Sequence, residues 1–150
     1  FGRPKWPNFT PAGQPFIIGK ALLLSEGSDV SLFATGHMVW NALQACRILE
    51  EMGVHAEVID IHTIKPLDEE AILTSVIKTG CAVSAEEHER NGGLGDSVAQ
   101  LLARSHPAPL EMIAVNDQFG QSGKPEELLK KYNLDVPDIV AAALKVISRK

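Results

Sequence analysis

The amino-acid sequence predicts a three-layer α/β/α domain. Its sheet is mainly parallel, has about five strands and carries one antiparallel strand at an edge. Three observations point there. A chain of 150 residues is long enough to bury one core and short enough to be read as one domain. Short apolar runs alternate with stretches of helical apolar spacing, and glycine or proline clusters separate them. Parallel neighbours need crossover connections, and this alternation supplies them.

The first fifteen residues carry Pro4, Pro7, Pro11 and Pro15, which remove backbone donors and restrict φ, so residues 1–15 are expected to run extended as an interdomain linker. The regular domain is expected over residues 16–150. Phe16-Ile17-Ile18-Gly19-Lys20-Ala21-Leu22-Leu23-Leu24 suits a strand, closed by the turn cluster Glu26-Gly27-Ser28-Asp29; it is assigned to the antiparallel edge. Residues 30–34 form a buried strand, Thr35-Gly36 turn the chain, and Val39, Leu43, Cys46, Ile48 and Leu49 mark a helix over 38–51 that stops at Gly53. The unit then repeats: a strand over 56–61, and a helix opened by Pro66-Leu67-Asp68 with Asp68 as N-cap and closed by Gly80. A strand over 81–85 leads through Gly92-Gly93-Leu94-Gly95 to a helix bearing Val98, Leu101 and Leu102, which ends before Pro107. Residues 110–115 give a last strand. Residues 124–132 and 136–148 give two helices, the second favoured by Ala141-Ala142-Ala143 and expected to pack across the sheet.

Composition narrows the function classes. At 45% hydrophobic and 22% charged residues, the chain is that of an ordinary globular protein. A net charge of −5 with scattered Lys and Arg leaves no basic footprint for nucleic acid. The longest apolar runs fall far short of the roughly 20 residues that a membrane-spanning helix needs, so no membrane partner is expected. Cys46 and Cys81 have neither a C-x-x-C spacing nor a histidine placed to complete a metal site, and read as two buried thiols. With no disulfide framework and no targeting pattern, the expected location is cytoplasmic. The start at Phe1, in a proline-rich stretch, reads as a cut inside a longer polypeptide.

In an open α/β sheet, ligands bind at the carboxyl ends of the strands. Three connections are expected there: Thr35-Gly36-His37, residues 63–68, and residues 86–95. The third places Glu86, Glu87, His88, Glu89 and Arg90 ahead of Gly92, Gly93 and Gly95. One reading is anion binding at a helix N-terminus, where glycines let backbone N–H groups approach a phosphate; the spacing is that of neither a P-loop nor a dinucleotide fingerprint, and the carboxylates repel phosphate. A second makes Glu86 or Glu87 an acid–base pair with His88, although no nucleophile stands beside them. The preferred reading is structural: the glycines serve tight turns and close packing, while Glu and His bond within the loop or across a subunit boundary. His37 is expected to satisfy backbone groups at a helix start. Asp117-Gln118-Phe119-Gly120-Gln121-Ser122-Gly123 is expected to turn the chain and cap the following helix. Local chemistry identifies no catalytic residue.

The order of motifs resembles the C-terminal domain of transketolase-like thiamine diphosphate enzymes. The resemblance is carried by Ala34-Thr35-Gly36, by Gly53-Val54 leading to Val58-Ile59-Asp60-Ile61-His62-Thr63-Ile64-Lys65-Pro66-Leu67-Asp68, and by Glu86-Glu87-His88 followed by Gly92-Gly93-Leu94-Gly95. These strings are shared with the beta subunits of 2-oxo acid dehydrogenases and with deoxyxylulose-phosphate synthase. Residues 117–123, then Glu127-Leu128-Leu129 and Tyr132-Asn133-Leu134, are similar to the transketolase ending in particular. Gly2-Arg3-Pro4 resembles the segment closing the pyrimidine-binding domain, where an arginine contacts the substrate's phosphate; Arg3 is therefore the one candidate substrate residue, with a solvated linker arginine as the alternative.

The resemblance implies an enzyme that moves a two-carbon ketol unit between sugar phosphates, using thiamine diphosphate and a divalent cation, Mg2+. Both bind between diphosphate-binding and pyrimidine-binding domains that the resemblance places upstream or on a separate subunit. This chain carries no Gly-Asp-Gly metal motif, so the expectation is an assembly domain, dimeric and inactive by itself, with no cofactor of its own and an apolar face that the other domains cover. The competing expectation is an autonomous domain using the glycine loop as an anion site, monomeric and stabilised by its ligand.

Overall fold

The computed structural model describes residues 7–10 and 12–150. Its elements follow in the order β1 (Leu22–Ser25), β2 (Val30–Ala34), α1 (Met38–Glu51), β3 (Ala56–Asp60), α2 (Glu69–Thr79), β4 (Ala82–Glu89), α3 (Leu94–Ser105), β5 (Leu110–Val115), α4 (Pro125–Lys131) and α5 (Val136–Ile147). The five strands form one sheet in the order β1-β3-β2-β4-β5. Only β1 pairs antiparallel, with β3, while β2, β3, β4 and β5 run parallel. The three-layer fold with one antiparallel edge strand is thus as the sequence predicts.

Alternation along the strands divides the core into two layers. On β2, Leu32 and Ala34 join Met38, Leu49, Val58, Val83, Ile139 and Val146 on the face covered by α1 and α5. Phe33 points the other way, into Ile59, Ile72, Val76, Leu94, Val98 and Leu101 under α2 and α3. All five residues of β2 are buried, as a central parallel strand covered on both faces requires. Both cysteines are buried and free. Among the described residues no helix is long and apolar enough to cross a membrane, and no group of three His, Cys, Asp or Glu side chains could hold a metal ion.

Local signals explain most boundaries. Asp68 caps α2, its side chain accepting from the Ala71 N–H at 3.3 Å, and Gly80 ends the helix in the left-handed conformation. Asp135 and Asp138 form a reciprocal capping box at the start of α5. Two expectations need correction. The edge strand begins at Leu22, not Phe16, because the chain first turns: Lys20 N–H bonds Ile17 O at 3.1 Å, Gly19 N–H bonds Thr63 Oγ1 at 2.8 Å, and Ala21 N–H bonds Asp68 Oδ2 at 2.9 Å. Residues 16–21 are held by the β3–α2 connection instead of a neighbouring strand. Conversely, β4 runs to Glu89, so Glu86, Glu87 and His88 stand on a strand and not in a loop. A register irregularity between Ala85 and Glu89 lets β4 continue beside β5, with Arg90 N–H bonded to Val115 O at 2.9 Å.

The last turns of α5 are tied to β5 through Glu111, which pairs with Lys145 at 2.9 Å and with Arg149. Partial burial pushes the Glu111 carboxyl up, but the hydrogen bonds and charges of Lys145 and Arg149 outweigh it and hold it below its ordinary value. A carboxylate whose folded-state pKa lies below its unfolded one stabilises the fold above the unfolded value and loses that contribution as pH falls through the folded one. Urea titrations of the wild type and Glu111→Gln are therefore expected to differ most near neutrality and to converge below about pH 4. Equal separation across the acid range would remove Glu111 as a source of acid sensitivity.

Candidate functional site

The chain reverses direction across the sheet at β2: β3 lies on one side and β4 on the other. In parallel α/β folds the crevice at such a reversal, outside the carboxyl ends of the strands, is where ligands sit. Here that crevice lies between the β2–α1 connection, with His37, and the end of β4 with the turn into α3. The structure therefore brings together two of the three connections singled out in the sequence.

Glu86 is the centre of this arrangement. Although charged, it is only 1% exposed. Its Oε2 accepts from Leu94 N–H at 2.8 Å and its Oε1 from Gly95 N–H at 2.9 Å. These amides open α3, where the first N–H groups lack helical partners and the helix dipole favours negative charge. The Glu86 carboxylate thus occupies the place a bound anion would take. Close approach explains the glycines. A Cβ at Gly93 would fall inside the Glu86 carboxylate, and one at Gly95 would come within 2.9 Å of Met112 Sδ and Ser84 Oγ. Gly95 belongs to α3 itself and not to the loop. Gly92 has φ +84° and donates to Asp96 Oδ2 at 2.7 Å, closing the turn.

The alternative reading, an acid–base pair of Glu86 or Glu87 with His88, is not what the geometry brings together. Glu87 meets His37, Oε2 to Nδ1 at 2.8 Å, across the β2–β4 junction. Alternation on β4 turns Glu86 into the core and Glu87 to the opposite face, and His88 is exposed. His37 makes no side-chain cap at the start of α1, contrary to expectation. The 117–123 loop likewise supplies no side-chain cap to α4, which starts with Lys124 at the cap position and Pro125 at the first turn. Instead Asp117 N–H bonds Glu89 Oε2 at 3.2 Å, and Tyr132 Oη donates to Phe119 O at 2.9 Å. Arg3 lies outside the described residues.

One polar residue passed over in the sequence stands out in the structure. Asp60 ends β3 and faces a cleft of about 400 Å3 lined by Thr10, Gln14, Pro15, Phe16 and Ile17, with Lys20 and His62 in its walls. Burial pushes the Asp60 carboxyl up, partly offset by the nearby charge of His62. The His62 ring lies 4.5 Å, centroid to centroid, from that of Phe16. An acid closing an otherwise apolar strand run was the available signal, but nothing in the sequence shows that Gln14, Pro15, Phe16 and Ile17 lie against it.

The geometry describes a parallel α/β domain whose usual ligand crevice is closed by its own carboxylate. Its residues do not suit a diphosphate with a metal ion, because the Glu86 carboxylate already fills the α3 N-terminus. The transketolase, C-terminal domain, family model matches residues 19–139, and the chain belongs to that family. It is 47% identical over 135 residues to the 6-deoxy-6-sulfo-D-fructose transketolase subunit SqwH of Clostridium sp. (strain MSTE9), covering 90% of this chain and 42% of that protein. The 1-deoxy-D-xylulose-5-phosphate synthase 1 of Geobacter sulfurreducens is 36% identical, with 89% of this chain and 21% of that protein covered. A solved structure described as a split gene transketolase, inactive beta4 tetramer, superposes with a TM-score of 0.91 at 41% identity, over 95% of this chain and 46% of that one. The chain thus spans less than half the length of each of these relatives.

Proposed function

We propose that this chain is the assembly-forming C-terminal domain of a thiamine-diphosphate-dependent transketolase, transferring a two-carbon ketol unit between sugar phosphates. The diphosphate-binding and pyrimidine-binding domains are carried by the rest of the polypeptide or by a separate subunit. The observation that carries the reading is the closure of the crevice by Glu86: the position where an autonomous α/β domain would hold an anion is taken by the chain itself. Identity to a transketolase subunit supports it. Thiamine diphosphate with Mg2+ supplies the carbon–carbon chemistry in the complete enzyme, and no described residue of this chain is assigned to hold it. The contribution here is to assemble a homodimer in the cytoplasm, with Glu86, Gly92, Gly93 and Gly95 keeping the loop rigid and Glu87 and His88 presented near a subunit boundary. Arg3 is assigned to the phosphate of the substrate.

The test is sedimentation of the purified chain, alone and mixed with the separately expressed remainder of its parental transketolase, with a ketol-transfer assay on each sample in thiamine diphosphate and Mg2+. The expected result is a larger species and activity in the mixture only, with Arg3→Ala raising KM for phosphorylated substrates more than it lowers kcat. A chain that neither associates nor restores activity would overturn the reading. Decarboxylating condensation of pyruvate with an aldose phosphate, in place of ketol transfer, would favour the deoxyxylulose-phosphate synthase reading that the 36% identical relative supports.

A further inference from the structure

The cleft in front of Asp60 is set apart from the closed crevice by both its chemistry and its rim. Its lining combines Thr10, Gln14, Phe16, Lys20, Asp60 and His62 around an opening of about 400 Å3. Lys20 is the cation in that set, and it is already shared between Asp68 at 3.6 Å and Glu70 at 3.5 Å. Among the described residues no donor reaches the Asp60 carboxylate, whose surroundings contribute only burial and the charge of His62. Among the described residues the cleft therefore lacks an uncommitted positive charge. Its apolar rim is exposed: Phe16 and Ile17 in the lining are 68% and 54% accessible, and Ile18, next to them in the chain, is 69% accessible. Three consecutive large apolar side chains left in water beside an uncompensated acid have the make-up of an interface centre awaiting its partner.

We propose that this cleft receives a lysine or arginine side chain presented on an apolar surface of the complementary transketolase half, ion-pairing with Asp60 while Phe16, Ile17 and Ile18 are covered. The inference rests on the assembly reading above. Two observations favour a polypeptide over a dissolved small cation. The rim is too apolar to be explained by a small cation, which would leave Phe16, Ile17 and Ile18 in water. The relatives of 42% and 46% coverage also contain, besides the matching part, a comparable length of polypeptide able to supply the covering surface. The guanidinium or ammonium gives Asp60 its missing charge partner, and exclusion of water by the rim strengthens that pair.

The test uses the 150-residue chain and the separately expressed remainder, with affinity measured by titration calorimetry at low and high salt. Asp60→Asn is expected to weaken association on the order of tenfold or more and to flatten its salt dependence. Melting of the isolated Asp60→Asn chain is expected at the same or a higher temperature, because the buried charge costs stability in the unassembled domain. That opposite sign separates a binding role from a structural one. Ile18→Ser, an exposed position, is expected to weaken association as well. Wild-type affinity in Asp60→Asn, with ketol transfer fully restored, would overturn this inference while leaving the assembly reading standing. Absence of association in the wild type would overturn the assembly reading itself. Two further results would also overturn the inference by naming another occupant: self-association of the chain that Asp60→Asn alone abolishes, or unchanged heterologous binding with a melting rise on adding millimolar methylammonium.

Discussion

Glu86→Ala is expected to destabilise the isolated domain by about 3 kcal/mol, seen as a lower urea midpoint with an unchanged slope and a melting temperature lower by roughly 6–12 °C. The substitution leaves the buried Leu94 and Gly95 N–H groups without an acceptor and removes the negative charge from the start of α3. Glu86→Gln keeps the volume but turns an NH2 toward one of two donors, and should lie between the wild type and Glu86→Ala. The coupling to Gly93 gives the sharper outcome. Gly93→Ala alone forces the added methyl into the Glu86 carboxylate, so it must displace the residue that both amides depend on. In a Glu86→Ala background that collision is gone, and Gly93→Ala should cost well under 1 kcal/mol. Strict additivity of the two substitutions would mean that the glycine is required for some other reason. The wild-type melting temperature should also be indifferent to acetate, whereas Glu86→Ala should be raised by it, since the vacated N-terminus again suits a carboxylate.

Phe33→Ala is the substitution with the largest expected effect, a loss of about 4 kcal/mol in urea unfolding. Phe33 is completely buried on the central strand, between α2 and α3. Neighbouring strands β3 and β4 fix its backbone on both sides, Phe33 pairing with Ile59 and Ser84, so the sheet cannot collapse into the space. Leu32→Ala opens the opposite layer, against α1 and α5, and is expected to cost about 3 kcal/mol. Because the sheet separates the two layers, the double variant should be close to additive. A loss below about 1 kcal/mol for Phe33→Ala would contradict a close-packed α2–α3 layer.

Legibility in the sequence followed the range of the interaction involved. Val30–Ala34, the helix over Met38–Glu51 and the helix over Glu69–Thr79 with Asp68 and Gly80 at its ends all depend on residues a few positions apart, and they occur where periodicity and capping place them. Close approach requires Gly93 and Gly95 and a positive φ requires Gly92, but the sequence does not show the side chain that Gly93 packs against. Glu86 looked like a loop carboxylate that repels phosphate; in the fold it is itself the anion at the helix start. Whether Glu86 or Glu87 faced inward depended on where β4 ended. That end is set by pairing to Val115, more than twenty residues away.

Composition, apolar period and turn chemistry are local properties, and from them the chain alone dictates a mainly parallel α/β domain and its element order. Tertiary structure decided the rest: which carboxylate fills the crevice, that His37 meets Glu87 instead of capping α1, and that residues 16–21 are drawn to Thr63 and Asp68 before the edge strand begins. Each of these is a hydrogen bond or ion pair between groups 8 to 50 positions apart, where no periodicity reaches, so only closure of the sheet brings the partners together.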